Sequence, residues 1–291
     1  MRTIIKVRLS FLHHFMAHEE QKQFWDNEGG DFWAAYSEKL DLFFEPVSEA
    51  ILELAEISPE DHVLDIGCGP GTLTLSAMKQ AKSATGVDLS SRLISMAEEK
   101  ALNLGLPATF AVADATTYKP LKAPTLILSR FGLMFFDHPE EAFSTFRTET
   151  VKKSRMVFAS WAPISQNPWI METLEVVQPL LLEPLPTPKL DKPGPFSLSE
   201  PEHVKVILTQ AGWGNVSINL WENQMGSSVS SPYEAAEFFC HISPACRAAI
   251  NQGIEEDIVK ERLLQLYQSK LVRDGKLTFH GAALIVKATS G

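Results

Sequence analysis

Residues 61–77 read DHVLDIGCGPGTLTLSA, and the architecture of the chain follows from them. A short apolar run reaches Asp65, glycines follow at alternate positions (Gly67, Gly69, Gly71), and a helical pattern starts at Thr72. An apolar strand that breaks on glycines and resumes as a helix is the first turn of a doubly wound α/β sheet. The glycines let backbone approach a nucleotide. In a dinucleotide fold the third glycine stands three residues after the second. Here that position is Thr72, and the glycine comes one residue early.

Asp65 narrows the ligand further. A pyrophosphate would sit on the free N–H groups of the helix start. A carboxylate two residues before Gly67 repels it, by about 4 kcal/mol for unit charges ~4 Å apart at an effective dielectric near 20. A ligand with a positive end reverses the sign. S-adenosylmethionine carries an ammonium and a sulfonium and no phosphate, so the carboxylate suits it. Two more acids close the next strands. Asp88 ends TGVDLS, where it can accept from both ribose hydroxyls, and Asp114 ends FAVADA, placed to accept from an adenine amino group. Each has a plainer reading, Asp88 as cap of a helix starting near Ser90 and Asp114 as a turn former.

Strands and helices alternate outward from this unit. After HVLDIG and GTLTLSAMKQA come SATGVDLS, a helix SRLISMAEEKALNLG stopped by Gly105, and the strands ATFAVADA and PTLILSR. A helix opened by Asp137 with Pro139 in its first turn precedes the strand RMVFASWA. Nearly continuous apolar strands separated by helices mean a parallel sheet covered on both faces. Residues 16–45, with Trp25, Trp33 and Tyr36, read as N-terminal helices over the cofactor site. Residues 46–161 and 200–291 read as the core. Between them, residues 162–199 are rich in proline yet carry WIMETLEVVQPLLLE, too apolar to stay solvated, and read as an inserted cap. A helix with Ser199 as its capping residue follows, then a strand WGNVSINLWE, helices within 231–273 that can join the cap, and a closing strand KLTFHGAALIVKA. The last two strands form an antiparallel edge.

Composition sets the outer limits. The 291 residues are 45% hydrophobic and carry a net charge of −10 without a Lys/Arg cluster, which disfavours nucleic acid as a partner. Three cysteines, Cys68, Cys240 and Cys246, are too few and too scattered for a disulfide framework or a metal site, and suit a reducing cytoplasm. No uncharged run reaches the ~20 apolar residues of a membrane span. Residues 1–15 are basic and free of acid, with Lys6 and Arg8 interrupting the apolar part. They read as an extension outside the fold, with Met16 as a natural start.

VLDIGCGPGTLTL, GVDLS, FAVADA and LILSRFGLMFF together resemble the successive motifs of class I S-adenosylmethionine-dependent methyltransferases. Within them the chain is most similar to the small-molecule branch related to ubiquinone/menaquinone-biosynthesis methyltransferases. The motif core spans residues 61–137. The resemblance implies a Rossmann-like seven-stranded sheet with an antiparallel last strand, and S-adenosylmethionine as cofactor. It implies that backbone groups of Gly67 and Gly69 approach the methionine end and that Leu89, Leu93 and Ala115 pack at adenine; with the strand-end acids Asp65, Asp88 and Asp114, the residues Cys68, Gly71 and Ala113 are also expected at the cofactor. Ser129 and Arg130 stand at the end of the fourth strand, and Trp25 or Trp33 would close over the cofactor. Tyr36 is a weaker match, because AYSEKLD lacks the acid that follows this tyrosine in relatives.

Methyl transfer is an in-line displacement at an already activated carbon, so alignment of the acceptor can supply much of the rate. A base is needed only where the acceptor loses a proton. His138 is the candidate base and His241 the second. Arg130 can pair with the ligand's carboxylate or with a nearby acid. Phe131, Met134, Phe135, Trp161, Trp169 and Phe196 are expected to line an acceptor pocket suited to an apolar or aromatic small molecule. The competing functions are a module that binds S-adenosylmethionine without turnover, a methyltransferase acting on protein, and an NAD(P)-dependent oxidoreductase.

Overall fold

The computed structural model describes residue 23, residues 25–185, residue 190, residues 192–226 and residues 229–291. The expected extension at 1–15 lies outside the described residues. One seven-stranded sheet runs through the molecule in the order β3-β2-β1-β4-β5-β7-β6. Its strands are β1 (His62–Ile66), β2 (Ser83–Asp88), β3 (Thr109–Val112), β4 (Leu126–Arg130), β5 (Arg155–Trp161), β6 (Trp213–Gln224) and β7 (His280–Ser290). The first five are mutually parallel, and β7 pairs antiparallel with both β5 and β6, as the sequence led us to expect. The central strands are buried on both faces: Leu126, Ile127, Leu128, Met156, Val157 and Phe158 are fully enclosed.

The helices flank this sheet. They are α1 (Glu28–Ala35), α2 (Ser37–Ala55), α3 (Thr72–Met78), α4 (Ser91–Leu104), α5 (Pro139–Glu149), α6 (Pro168–Val177), α7 (Pro201–Gln210), α8 (Pro232–Ile242), α9 (Pro244–Asn251) and α10 (Glu256–Asp274). Gly105 ends α4 in the left-handed region at φ 63°, the expected stop. Among the described residues no helix is long and apolar enough to cross a membrane.

Three boundaries differ from the sequence reading. The division at residue 45/46 falls inside α2, which runs unbroken from Ser37 to Ala55 through Pro46. A proline has no N–H for the carbonyl four residues back, here Leu42. Gly226 packs so closely on that carbonyl that a Cβ there would lie 1.7 Å from the Leu42 oxygen, and its own N–H donates to Phe43 O at 2.9 Å. Tertiary contact thus carries the helix past its proline. Ser199 does not cap α7: Pro201 takes the first helical position, which makes Glu200 the flanking residue, with no side-chain cap. In the same way Pro139 makes His138, not Asp137, the residue flanking α5.

The described part of residues 162–199 is fastened to the core at both ends. Where β5 stops, the side-chain amide of buried Asn167 accepts from Ala282 N at 2.9 Å and donates to Ala282 O at 3.1 Å. A side chain there stands in for one more residue of sheet. At the far end Ser197 Oγ donates to Met134 O at 2.6 Å, and Ser160 Oγ donates to Leu198 O at 2.8 Å. Helix α6 packs against α9 and α10. Their shared core is aromatic: Phe239, Tyr267 and Phe279 are in mutual ring contact, and Trp169 meets Phe239.

Candidate active site

In an open α/β sheet, ligands bind beyond the carboxyl ends of the strands, where the strand order reverses. That point is the crevice between β1 and β4. The chain leaving β1 and the chain leaving β4 meet there back to back. A Cβ on Gly67 would lie 2.9 Å from Gly132 Cα, and one on Gly132 would lie 2.7 Å from Ile66 O. Gly67 also has φ +65°, so glycine serves both the turn and the close approach. Gly69, at φ +52°, has open space where its Cβ would be. That space is the cavity itself, since Gly67, Cys68, Gly69 and Pro70 form one of its walls.

Asp65 sits at the base of this wall, 1% exposed. One carboxylate oxygen accepts from Thr74 Oγ1 at 2.6 Å, and the other is buried without a hydrogen-bond partner. Burial pushes this carboxyl up to about 7, and the neighbouring Asp88 charge adds to the shift. An orphaned buried carboxylate oxygen is costly unless a donor arrives. Asp88 is held differently: its two oxygens accept from Gly69 N at 2.8 Å and Ser90 N at 2.9 Å. Burial raises its pKa against those bonds. The cap of α4 is Ser90, whose Oγ accepts from Leu93 N at 3.4 Å, so Asp88 is not spent as a helix cap. Asp114 stands two residues beyond β3 and accepts from Thr116 N and Thr116 Oγ1 at 2.9 and 2.7 Å, the turn-forming arrangement, while still lining the cavity.

The structure brings most of the expected residues to one place. Leu89, Leu93, Ala113 and Ala115 line the cavity beside Asp88 and Asp114, and Trp25, Trp33 and Arg130 line it from the other side. The six expected acceptor residues, Phe131, Met134, Phe135, Trp161, Trp169 and Phe196, line it as well. Phe131 holds a left-handed φ of +62° and stacks on Trp161 at 4.2 Å and 12°. Helix α1 is docked over the entrance to the β2–α4 turn: Asp26 accepts from Ser91 Oγ at 2.9 Å, Asp31 pairs with Arg92, and a Cβ on Gly30 would collide with Ser90.

Four expectations are corrected. Ser129 lies outside the lining; it is a buried clamp that donates to Ile66 O at 2.7 Å and accepts from Gly132 N at 3.3 Å. Gly71 is also outside it, and its missing side chain makes room for Ala97 and Phe110, so its role is packing of α3. His138 is exposed and outside the lining, whereas the preceding Asp137 lines the cavity. The base expected at 138 is therefore withdrawn. His241 is turned away too, stacked on Tyr36 at 5.1 Å and set 3.1 Å from Glu237. Glu237, His241 and Glu256 bring ligand-type atoms within 4.8 Å of one another, but Lys260 pairs with both carboxylates, at 2.8 and 2.6 Å, which makes the group an ion-pair network.

Sequence reading passed over Asp41, Phe32, Phe44, Ile170 and Arg247. The last four line the cavity, from helices scattered over some 200 positions of sequence. Asp41 ties four elements together. It accepts from Thr72 Oγ1 at 2.6 Å, Lys100 Nζ at 3.1 Å and Arg130 at 2.9 Å, and Arg130 donates in turn to Ser48 Oγ at 2.8 Å. These cations and the threonine bond hold its carboxyl below the usual range, against burial. An acid lying in sequence between the core residues Leu40 and Phe44 gives no local sign of this.

Comparison with known proteins agrees with the geometry. Residues 63–150 match the family model described as a methyltransferase domain. Over 74 residues the chain is 34% identical to an uncharacterized methyltransferase of Schizosaccharomyces pombe, a stretch covering 25% of this chain and 28% of that protein. Over 61 residues it is 41% identical to ribosomal RNA small subunit methyltransferase A of Corynebacterium efficiens, covering 21% and 18%. The chain thus matches less than a third of the length of these relatives. Among solved structures it is similar to magnesium protoporphyrin IX methyltransferase of Synechocystis with bound SAH, with a TM-score of 0.55 at 12% identity over 94% of this chain and 100% of that one. Residues 63–150 are therefore similar to a methyltransferase domain, and the seven-stranded sheet around them has the fold of solved methyltransferase structures.

Proposed function

We propose that the protein transfers the methyl group of S-adenosylmethionine to a small apolar or aromatic acceptor. The observation that carries the reading is the buried, unpartnered oxygen of Asp65 beside the glycine wall. It asks for a cationic donor, and an α-ammonium supplies one. Asp88 stands where a ribose would be held, and Leu89, Leu93, Ala113, Asp114 and Ala115 make an apolar slot with one carboxylate for adenine. When bound, S-adenosylmethionine supplies a methyl carbon already activated for displacement by its sulfonium.

The chain's own residues do the remaining work. Phe131, Trp161 and Trp169 present flat apolar surface next to the glycine wall, which orients an acceptor and keeps water from it. Asp137 lines the same cavity as Phe135 and Phe136, and a carboxylate there can take the proton of an acceptor hydroxyl or amine. The net charge of −10 opposes a polyanion, which favours a small acceptor here over the ribosomal RNA named for one relative.

Calorimetric titration with S-adenosylmethionine, S-adenosylhomocysteine and NAD tests the reading. Binding of the two adenosyl ligands alone is expected. Binding of NAD alone would overturn the assignment of the glycine turn. A panel of small aromatic acceptors, assayed for methyl transfer from labelled donor, then separates turnover from simple binding.

A further inference from the structure

We infer that the methyl acceptor is an aromatic acid, received through its anionic group by Arg247. The inference rests on the proposed function and names the chemical class of its acceptor. Helix α9 reads PACRAAIN, and its buried side chains are Ala245, Cys246, Ala248 and Ala249. Arg247 is the long side chain among these small ones, and it lines the cavity. Its Cζ lies over the ring of Phe32, another lining residue, 5.6 Å from the centroid. The wall on this side is otherwise apolar, with Trp161, Trp169, Ile170 and Phe196. A charge in such a wall is costly to desolvate unless an opposite charge meets it. A guanidinium, planar and weakly hydrated, suits both an aromatic ring and a carboxylate.

Among the described residues the cations that line the cavity are Arg130 and Arg247. Arg130 ends β4 and donates to Asp41 and Ser48. Arg247 belongs to α9, which packs against α6, on the side proposed for the acceptor. A guanidinium carries five N–H donors in a fixed fork, more than one neighbour takes up, and a carboxylate can meet it through two parallel bonds. The net charge of −10 repels anions at a distance, so an anion is held only where a local cation receives it. Trp169 points the same way. It lines the cavity from α6, is 7% exposed, and its indole N–H is buried without a hydrogen-bond partner among the described residues. Such a donor is costly to leave unmet, and an oxygen of the acceptor satisfies it. Oxygens engaged by N–H donors are poor nucleophiles. The acid is therefore the handle, and the methyl group goes to another atom of the acceptor.

The test pairs hydroxy- and amino-substituted benzoic and cinnamic acids with their primary amides, which keep ring and size and lose the charge. Each is assayed for methyl transfer from labelled S-adenosylmethionine, and each variant is checked by thermal melting and by calorimetry with S-adenosylhomocysteine. Wild-type protein is expected to favour the acids by at least about 10-fold in kcat/KM. Arg247→Gln is expected to raise KM for the acids about 10- to 100-fold with kcat within about threefold, and to leave KM for the amides and Kd for S-adenosylhomocysteine within about twofold. Arg247→Lys, which keeps the charge without the fork, is expected to recover part of the loss. Trp169→Phe is expected to raise KM about 3- to 10-fold for acids and amides alike. Equal use of acids and amides by wild-type protein would overturn the inference, as would equal weakening of both in Arg247→Gln. A methyl ester as product would overturn the assignment of the acid as handle. If Arg247→Gln fails to fold, the ratio of acid to amide in Arg247→Lys decides. Absence of methylation across all the acids, in protein that binds S-adenosylhomocysteine, would also overturn the inference. Protein that binds no adenosyl ligand would overturn the proposed function itself, a result distinct from any of these.

Discussion

The two halves of the cavity are built on different plans. The half proposed for the donor hangs from the ends of β1, β2 and β3, and its polar groups are fixed by backbone: Asp88 by Gly69 N and Ser90 N, Gly67 by its turn and its contact with Gly132. The half proposed for the acceptor is assembled from the ends of β4 and β5, from α2, α6, α8 and α9, and is almost wholly side chain, mostly aromatic. Backbone hydrogen bonds tolerate little variation, whereas apolar walls of about the right size repack at modest cost. One half is a fixed receptor and the other an adjustable one.

Substitutions can break that contrast. The largest effects belong to the glycine wall. Gly67→Val is expected to lose the fold, because its Cβ meets the Gly132 backbone. Gly69→Val, with open space around its Cβ, is expected to keep a cooperative melt, at a backbone strain of about 1–2 kcal/mol, and to abolish donor binding by filling the cavity. Melting curves and calorimetry on the pair would break the contrast if Gly69→Val still bound. Next comes Asp88→Ala, which removes a charge-assisted acceptor. Donor affinity should fall by about 10- to 150-fold, the equivalent of about 1.5–3 kcal/mol.

A pH titration gives the third effect. With the Asp65 carboxyl at about 7, the free protein holds a proton there at pH 6 that an incoming ammonium must expel. Donor affinity is therefore expected to rise through pH 7 and level off near pH 8, with proton release on binding below pH 7. Asp65→Asn should abolish this slope. The same shift has the opposite sign for folding: an acid raised from 3.8 binds more protons folded than unfolded, so its contribution to stability falls as pH rises from about 4 to about 7. The smallest effect on the donor is expected at the other half. Ile170→Ala, on the cap helix, should alter acceptor KM while leaving donor affinity within about twofold; a large change in donor binding would show the halves are not separate.

The same contrast explains what the sequence could tell. The alternation of strands and helices and the glycine turn are legible because each strand, its terminal acid and its following turn are contiguous. The errors fall where a residue's role is set by a distant partner. Ser129 and Gly71 match donor-site motifs locally, but one clamps the β1 turn to the β4 turn and the other makes room for Phe110. His138 and Asp137 are adjacent in sequence, yet only Asp137 reaches the cavity. The division at 45/46 falls inside α2, where Pro46 is accommodated against Gly226, 180 positions later and out of reach of any local pattern. Asp41 could not be found at all, since its partners sit at 72, 100 and 130.

The two fastenings of the cap have an evolutionary consequence. Asn167 completes the sheet at one end, and Ser197 and Leu198 lock onto the core at the other. Trp169, Ile170, Pro195 and Phe196 line the cavity immediately inside these two fastenings. A lineage can therefore exchange those side chains, reshaping the space they bound, while the fastenings and the glycine wall stay as they are.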